Sequence, residues 1–286
     1  MSDATPTGYA RRERKGSEKR QVGIKNALRM LPQYPIRDGT IPAGIFCPDS
    51  LLMSMEDSYC DAWDRTDVID ARTRSLFTIS MMICVGNVGN QFELEWHAPG
   101  AIRNGATVNE IEAIITYARK FVAGPAQGWA QGTIKKALTD HGLLTPGPPP
   151  DLERREKSGS EKRKIARDVL RRLDPTSELL KVPDEIDQNK FGSELDLMIL
   201  ENLYFDSWAR TDDALDWRMR SIVTLGMLFA IPRLELARQH VPIALKNGVT
   251  VKELEELILH AATYLGFPIG LAIRSAVTEA LQQMPK

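Results

Sequence analysis

The residues of this 286-residue chain that could move a proton are its histidines, among them His97 and His240, each of which follows a glutamate. Glu93 precedes His97 by four residues, and Glu235 precedes His240 by five. An imidazole titrates near neutral pH and can deliver or accept a proton, and a nearby carboxylate can orient it or share that proton. Four residues along a helix bring two side chains together, so Glu93 and His97 should meet. Five residues leave Glu235 and His240 roughly 140° apart, and spacing alone does not bring them into contact. The matching register of His97 and His240 fits a duplicated proton-transfer group and also a duplicated core hydrogen bond. His260 sits among leucines and alanines, where it is a proton-transfer candidate or a satisfied core histidine.

Two arginine pairs, Arg72/Arg74 and Arg218/Arg220, open apolar segments. Arginine stays charged and grips a carboxylate through two parallel hydrogen bonds, which suits an anionic substrate. The plainer reading pairs Arg218 and Arg220 with Asp212, Asp213 or Asp216 at the surface, where such bridges contribute little. Trp63, Trp208 and Tyr264 are pocket walls or packing anchors. Cys47, Cys60 and Cys84 include no CxxC and no zinc-ligand spacing, and there is no glycine-rich phosphate loop. We expect no metal and no cofactor.

These residues recur because the sequence repeats itself at an offset of about 143 residues. RRERKGSEKR (11–20) matches RREKSGSEKR (154–163) in eight of ten positions, and YCDAWDRTD (59–67) matches YFDSWARTD (204–212) in six of nine. NGATVNEIEAIITYARKF from Asn104 aligns with NGVTVKELEELILHAATY from Asn247 with eight identities. Ile111, Ile114, Ile115 and Ala118, like Leu254, Leu257, Ile258, Ala261 and Ala262, recur at helical steps. Thr107 with Glu110, and Thr250 with Glu253, form capping boxes after an Asn-Gly turn. RSLFTISMMICVG and RSIVTLGMLFAI are too long for ordinary strands and read as helices apolar on most sides. The fold class is all-α, with two tandem modules at 11–145 and 159–286. A proline-rich linker spans 146–158, and residues 1–10 are expected to be disordered.

Hydrophobic residues at 43%, charged residues at 26% and a net charge of −1 describe a soluble globular chain. The basic stretches contain glutamates and read as solvated lead-in helices, so no nucleic-acid partner is expected. No window approaches a membrane span and the N-terminus lacks a signal-peptide core, so a cytoplasmic protein without a membrane partner is expected.

The second copy resembles the carboxymuconolactone decarboxylase family. The resemblance rests on Glu235 and His240 on one helix, Asn247-Gly248-Val249-Thr250 at the corner, His260, Tyr264 and Gly266-Phe267-Pro268, and it extends upstream to Trp208, Arg210, Arg218 and Arg220. The first copy keeps Trp63, Arg65, Arg72, Arg74, Glu93, His97, Asn104-Gly105 and Pro125, but Tyr117 replaces the second histidine. The resemblance implies an alkylhydroperoxidase-like (AhpD-like) helical fold, with the two modules as a pseudo-dimer in a ring. For this two-module chain the ring would be a homotrimer, with active sites near module contacts. It further implies a cofactor-independent carboxy-lyase acting on a small carboxylated lactone of aromatic catabolism. Arg218 or Arg220 would hold the carboxylate and His240 would protonate the dienolate carbon.

Three alternatives stand beside this expectation. The same acid and arginine clamp would serve another enolate-forming isomerisation or a lactone ring opening. A non-catalytic binding or oligomerisation module could keep the scaffold. A peroxidase on this fold would need a redox cysteine pair ahead of the histidine, where LELARQH and FELEWH have none.

Overall fold

The computed structural model describes residues 8–284, apart from residues 35, 42, 86–90, 211–213 and 232, and among these all regular structure is helical. The first half runs α1 (Gly8–Arg12), α2 (Gly16–Met30), α3 (Pro48–Met53), α4 (Ala71–Val85), α5 (Gln91–Arg103), α6 (Val108–Ala118) and α7 (Gly124–Asp140). The second half repeats that order as α8 (Leu152–Arg155), α9 (Gly159–Leu173), α10 (Ser193–Ile199), α11 (Trp217–Ala230), α12 (Leu234–Lys246), α13 (Val251–Leu265) and α14 (Phe267–Gln283). In both halves the third helix widens into a π-helical stretch, Ser54–Ala62 after α3 and Leu200–Trp208 after α10, and each stretch delivers a tryptophan, Trp63 or Trp208, to the interior. Long π segments are rare and tend to accompany functional sites.

The lead-in helices are less solvated than their composition suggests. α1 already begins at Gly8, and Arg11 is buried with its guanidinium on Asp67 at 2.8 Å. α8 lies inside the proline-rich linker, where Arg154 packs 4.0 Å over the Phe205 ring.

Both capping boxes form as spacing requires, with Thr107 accepting from the Glu110 N–H and Thr250 from the Glu253 N–H, each at 3.2 Å. The corner glycines before them, Gly105 and Gly248, have φ of 96° and 93°, a region that costs glycine little. Asn104 then donates to Ser75, and Asn247 to Ser221, both at 3.0 Å, fastening each corner to α4 or α11.

α4 and α11 are buried along nearly their whole length, as their all-round apolar sequences predict. They cross closely: a Cβ on Gly226 would stand 2.3 Å from Ser80 Oγ, and Phe77 meets Phe229 edge-on at 6.2 Å. The main apolar core therefore draws on both halves at once, while smaller clusters lie under α2 and α9. Around this crossing the halves reach into each other. α13 packs on α4 and on the π segment after α3, while Tyr117 of α6 reaches Thr224 of α11. No helix among the described residues is long and apolar enough to cross a membrane.

Candidate functional site

A buried polar centre forms where α13 meets the first half. Glu256, His260 and Tyr264 follow one another at four-residue steps along one face of α13. The Trp63 indole N–H donates to the Tyr264 hydroxyl at 2.8 Å, and that hydroxyl stands 3.2 Å from His97 Nε2. The same Nε2 lies 3.3 Å from Glu93 Oε2, one helical turn back on α5. His97 is buried and stacks parallel on Trp63, with centroids 5.7 Å apart and planes 9° apart. Glu93 keeps 42% of its side chain exposed, so the chain Trp63–Tyr264–His97–Glu93 runs from the interior to solvent. The hydrogen bond from His97 lowers the Glu93 pKa, outweighing partial burial, so this carboxylate stays ionised. Burial raises the Tyr264 phenol well above its ordinary value.

Behind this chain two arginines share one carboxylate. Arg65 grips Glu256 through Nε at 2.8 Å and 3.0 Å and through a further contact from Nη2. Arg74, 1% exposed, places Nη2 3.6 Å from Glu256 and 2.6 Å from the Arg65 carbonyl, and Nη1 3.3 Å from His260 Nδ1. Burial pulls Arg74 down to about 10, which still leaves it cationic at neutral pH. Two guanidiniums against one glutamate leave a surplus positive charge at the deep end of the centre.

The equivalent place in the other half has lost these groups. Trp208, His240, Arg220 and Thr224 repeat Trp63, His97, Arg74 and Thr78, but Leu236 stands for Glu93, Ala113 for Glu256, Tyr117 for His260 and Phe121 for Tyr264. Trp208 and His240 remain in contact with ring centroids 5.6 Å apart, and Tyr117 bonds Thr224 at 2.8 Å. His240 Nε2 is buried without a hydrogen-bond partner among the described residues, and burial lowers its pKa to about 3. An imidazole so placed is uncharged at neutral pH and is not the imidazolium acid that proton donation requires.

Several expected site residues therefore stand elsewhere. Glu235 is exposed on the outer face of α12 and does not join His240, as the five-residue spacing warned. Arg72 and Arg218 bind the capping-box carboxylates Glu110 and Glu253, which makes them equivalent braces at two helix starts rather than groups of the centre. Asp216 caps α11 by accepting from the Met219 N–H at 2.7 Å, while Asp212 and Asp213 lie outside the described residues. Trp63, Arg74, Glu93, His97, His260 and Tyr264 are brought together. His240, Trp208 and Arg220 gather in the depleted counterpart.

Glu256 and Thr78 were not singled out from sequence. The aligned blocks held the signal for Glu256: on one helical face, Glu256, His260 and Tyr264 in the second copy oppose Ala113, Tyr117 and Phe121 in the first. A separate groove of about 570 Å³ between α6 and α7, floored by Ile111, Ile115, Ile134 and Leu138, contains none of the site histidines. Among the described residues no group of three or more histidine, cysteine or acidic side chains could hold a metal ion.

Comparison with known proteins matches residues 199–279 to the model of the carboxymuconolactone decarboxylase family. A 4-carboxymuconolactone decarboxylase of Acinetobacter baylyi is 32% identical over 96 residues, covering 34% of this chain and 70% of that protein. The chain belongs to the carboxymuconolactone decarboxylase family. A nitrosuccinic acid decarboxylase of Metarhizium robertsii is also similar, 41% identical over 78 residues, spanning 27% of this chain and half of that protein. A crystal structure assigned by its description to a gamma-carboxymuconolactone decarboxylase subunit of Burkholderia xenovorans aligns over 95% of this chain and 99% of its own, with a TM-score of 0.48 and 16% identity. The segment matched to the family model takes in Glu256, His260 and Tyr264 but not Trp63, Glu93 or His97, which come from the other half.

Proposed function

We propose that the chain is a cofactor-independent carboxy-lyase with its working centre at His97, where the two halves meet. The observation that carries this reading is the Tyr264–His97–Glu93 chain leading from a buried phenol to a half-exposed carboxylate. Loss of carbon dioxide breaks a carbon–carbon bond and leaves the electron pair on the substrate, where an adjoining lactone, carbonyl or nitro group can spread it. The carbanionic carbon then takes the Nε2 proton of His97, which is replenished from solvent past Glu93. The surplus charge of Arg65 and Arg74 over Glu256 favours an anionic substrate, and the parallel Trp63 face fixes the plane of the His97 ring.

Both similar proteins are named for carboxylic acids that they decarboxylate. A small acid of that kind, such as a carboxylated lactone from aromatic catabolism, is the substrate class we assign. The same proton donor would serve an enolate-forming isomerisation, and the product distinguishes the two. We further propose a cytoplasmic homotrimer, a ring of six modules. Exposed Phe267 and Leu271 on α14 are the kind of apolar surface that its contacts would cover.

The test is to expose purified protein to 4-carboxymuconolactone, nitrosuccinic acid and related lactone acids, and to follow carbon dioxide release and product spectra. Release supports the reading, whereas isomerised product without release replaces it with the isomerase. A folded protein that converts none of them overturns it.

A further inference from the structure

We infer that His260 is a positioning residue, held as the neutral Nε2–H tautomer between Arg74 and Thr78, and that it seats Tyr264 against His97 without itself moving a proton. Arginine can only donate, so the 3.3 Å approach of Arg74 Nη1 requires a lone pair on His260 Nδ1. Thr78 commits its single hydroxyl proton to the Arg74 carbonyl at 2.8 Å. Its oxygen is therefore left to accept from His260 Nε2–H at 2.7 Å. Both ring nitrogens are thus engaged, and the tautomer follows from the partners rather than from any hydrogen position.

The surroundings oppose protonation. The charged groups facing this ring are Arg74 and, beyond it, the Arg65–Glu256 pair; His97 and Tyr264 are its titratable neighbours, and Trp63 and Phe77 pack on it edge-on or tilted. A proton on Nδ1 would set imidazolium against guanidinium. Burial, then Arg74, then His97 lower the His260 pKa well below its ordinary value. Tyr264 lies one turn further along α13, so the anchoring of His260 to α4 fixes where that hydroxyl falls.

The depleted counterpart gives an internal control. Tyr117 occupies the equivalent place and keeps the equivalent bond, to Thr224 at 2.8 Å, with a buried phenol whose pKa is pushed up. A group that cannot serve as an acid near neutral pH thus meets the packing requirement at that position.

The inference rests on the reading of His97 as proton donor, and the experiment separates the two. Glutamine offers one acceptor and one donor at nearly the imidazole spacing, so His260→Gln can reproduce both bonds, whereas His260→Leu reproduces neither. We expect His260→Gln to keep kcat within about threefold with an unchanged pH profile, and His260→Leu to lose about tenfold or more in kcat with a smaller change in KM. In 15N-histidine NMR spectra of the intact protein, His260 should show the Nε2–H pattern across about pH 5 to 8, the range in which an ordinary histidine titrates. Titration of His260 in that window, or a folded His260→Gln protein as inactive as His97→Gln, overturns the inference. If the protein decarboxylates none of the acids, the functional reading fails alone, and the tautomer measurement still decides the state of His260.

Discussion

Trp63 and Tyr264 lie 201 residues apart in sequence and meet in a 2.8 Å hydrogen bond, so the centre exists only while the two halves are docked. The indole can only donate, and His97 Nε2–H, which also faces Glu93, donates as well, so the phenol oxygen accepts from both. In Tyr264→Phe both bonds go, with the ring packing kept. We expect kcat to fall by about 10²-fold, within the range general acid–base groups supply, and stability to fall by about 1–3 kcal/mol because the buried Trp63 N–H loses its acceptor. Steady-state carbon dioxide release together with a melting curve checks this, and unchanged kcat would remove Tyr264 from the chain.

His97 and His240 occupy equivalent positions with unequal surroundings. His97→Gln should cost about 10²–10⁴-fold in kcat, while His240→Gln should stay within a few-fold of the parent protein. Parallel kinetics on the two variants decide between the centres, and the reverse ranking would return the chemistry to the second half.

Acid should destabilise the protein through its buried neutral histidines. The unfolded chain protonates His240 near 6.5, whereas the folded chain resists until about 3, so the unfolded state binds more protons throughout that window. Stability then falls as pH drops through it, by about 1.4 kcal/mol per pH unit for each such histidine. His240→Leu should flatten the difference in urea-unfolding free energy between pH 6.5 and pH 5 by about 2 kcal/mol. An unaltered slope would place the acid sensitivity elsewhere.

Glu256 balances Arg65 and Arg74 together in a largely buried setting. Its replacement by alanine leaves two guanidiniums facing each other without a counter-charge. We expect a loss of about 3–5 kcal/mol in urea unfolding. A loss below about 1 kcal/mol, the value of an exposed pair, would show that solvent already screens the site.

Much of the fold was legible in local sequence. The Asn-Gly corners, the capping boxes at Thr107 and Thr250 and the helical apolar runs of α4 and α11 are short-range signals, and each forms where the spacing puts it. The centre was legible residue by residue, but its assembly was not. Alignment of the copies shows that His97 corresponds to His240 and Tyr117 to His260. It does not show that α13 docks on the first half, because that depends on the crossing of α4 and α11 in three dimensions. A reading confined to one copy therefore grouped His260 with His240, its own half's histidine, rather than with His97. Arg72 and Arg218 misled for a related reason: they open the same helices as Arg74 and Arg220, two residues away, and a rotation of about 200° along a helix separates a surface brace from a buried cation.

The segment from Pro146 to Ser158 joins two like halves into one chain and so ends their obligatory identity. In a pair of separate identical subunits, any substitution at one centre appears at the other, and a histidine needed once must be kept twice. A fused pair carries no such constraint. Tyr117 can stand opposite the position that His260 must hold, and selection can tune one centre for turnover while the other drifts toward pure packing.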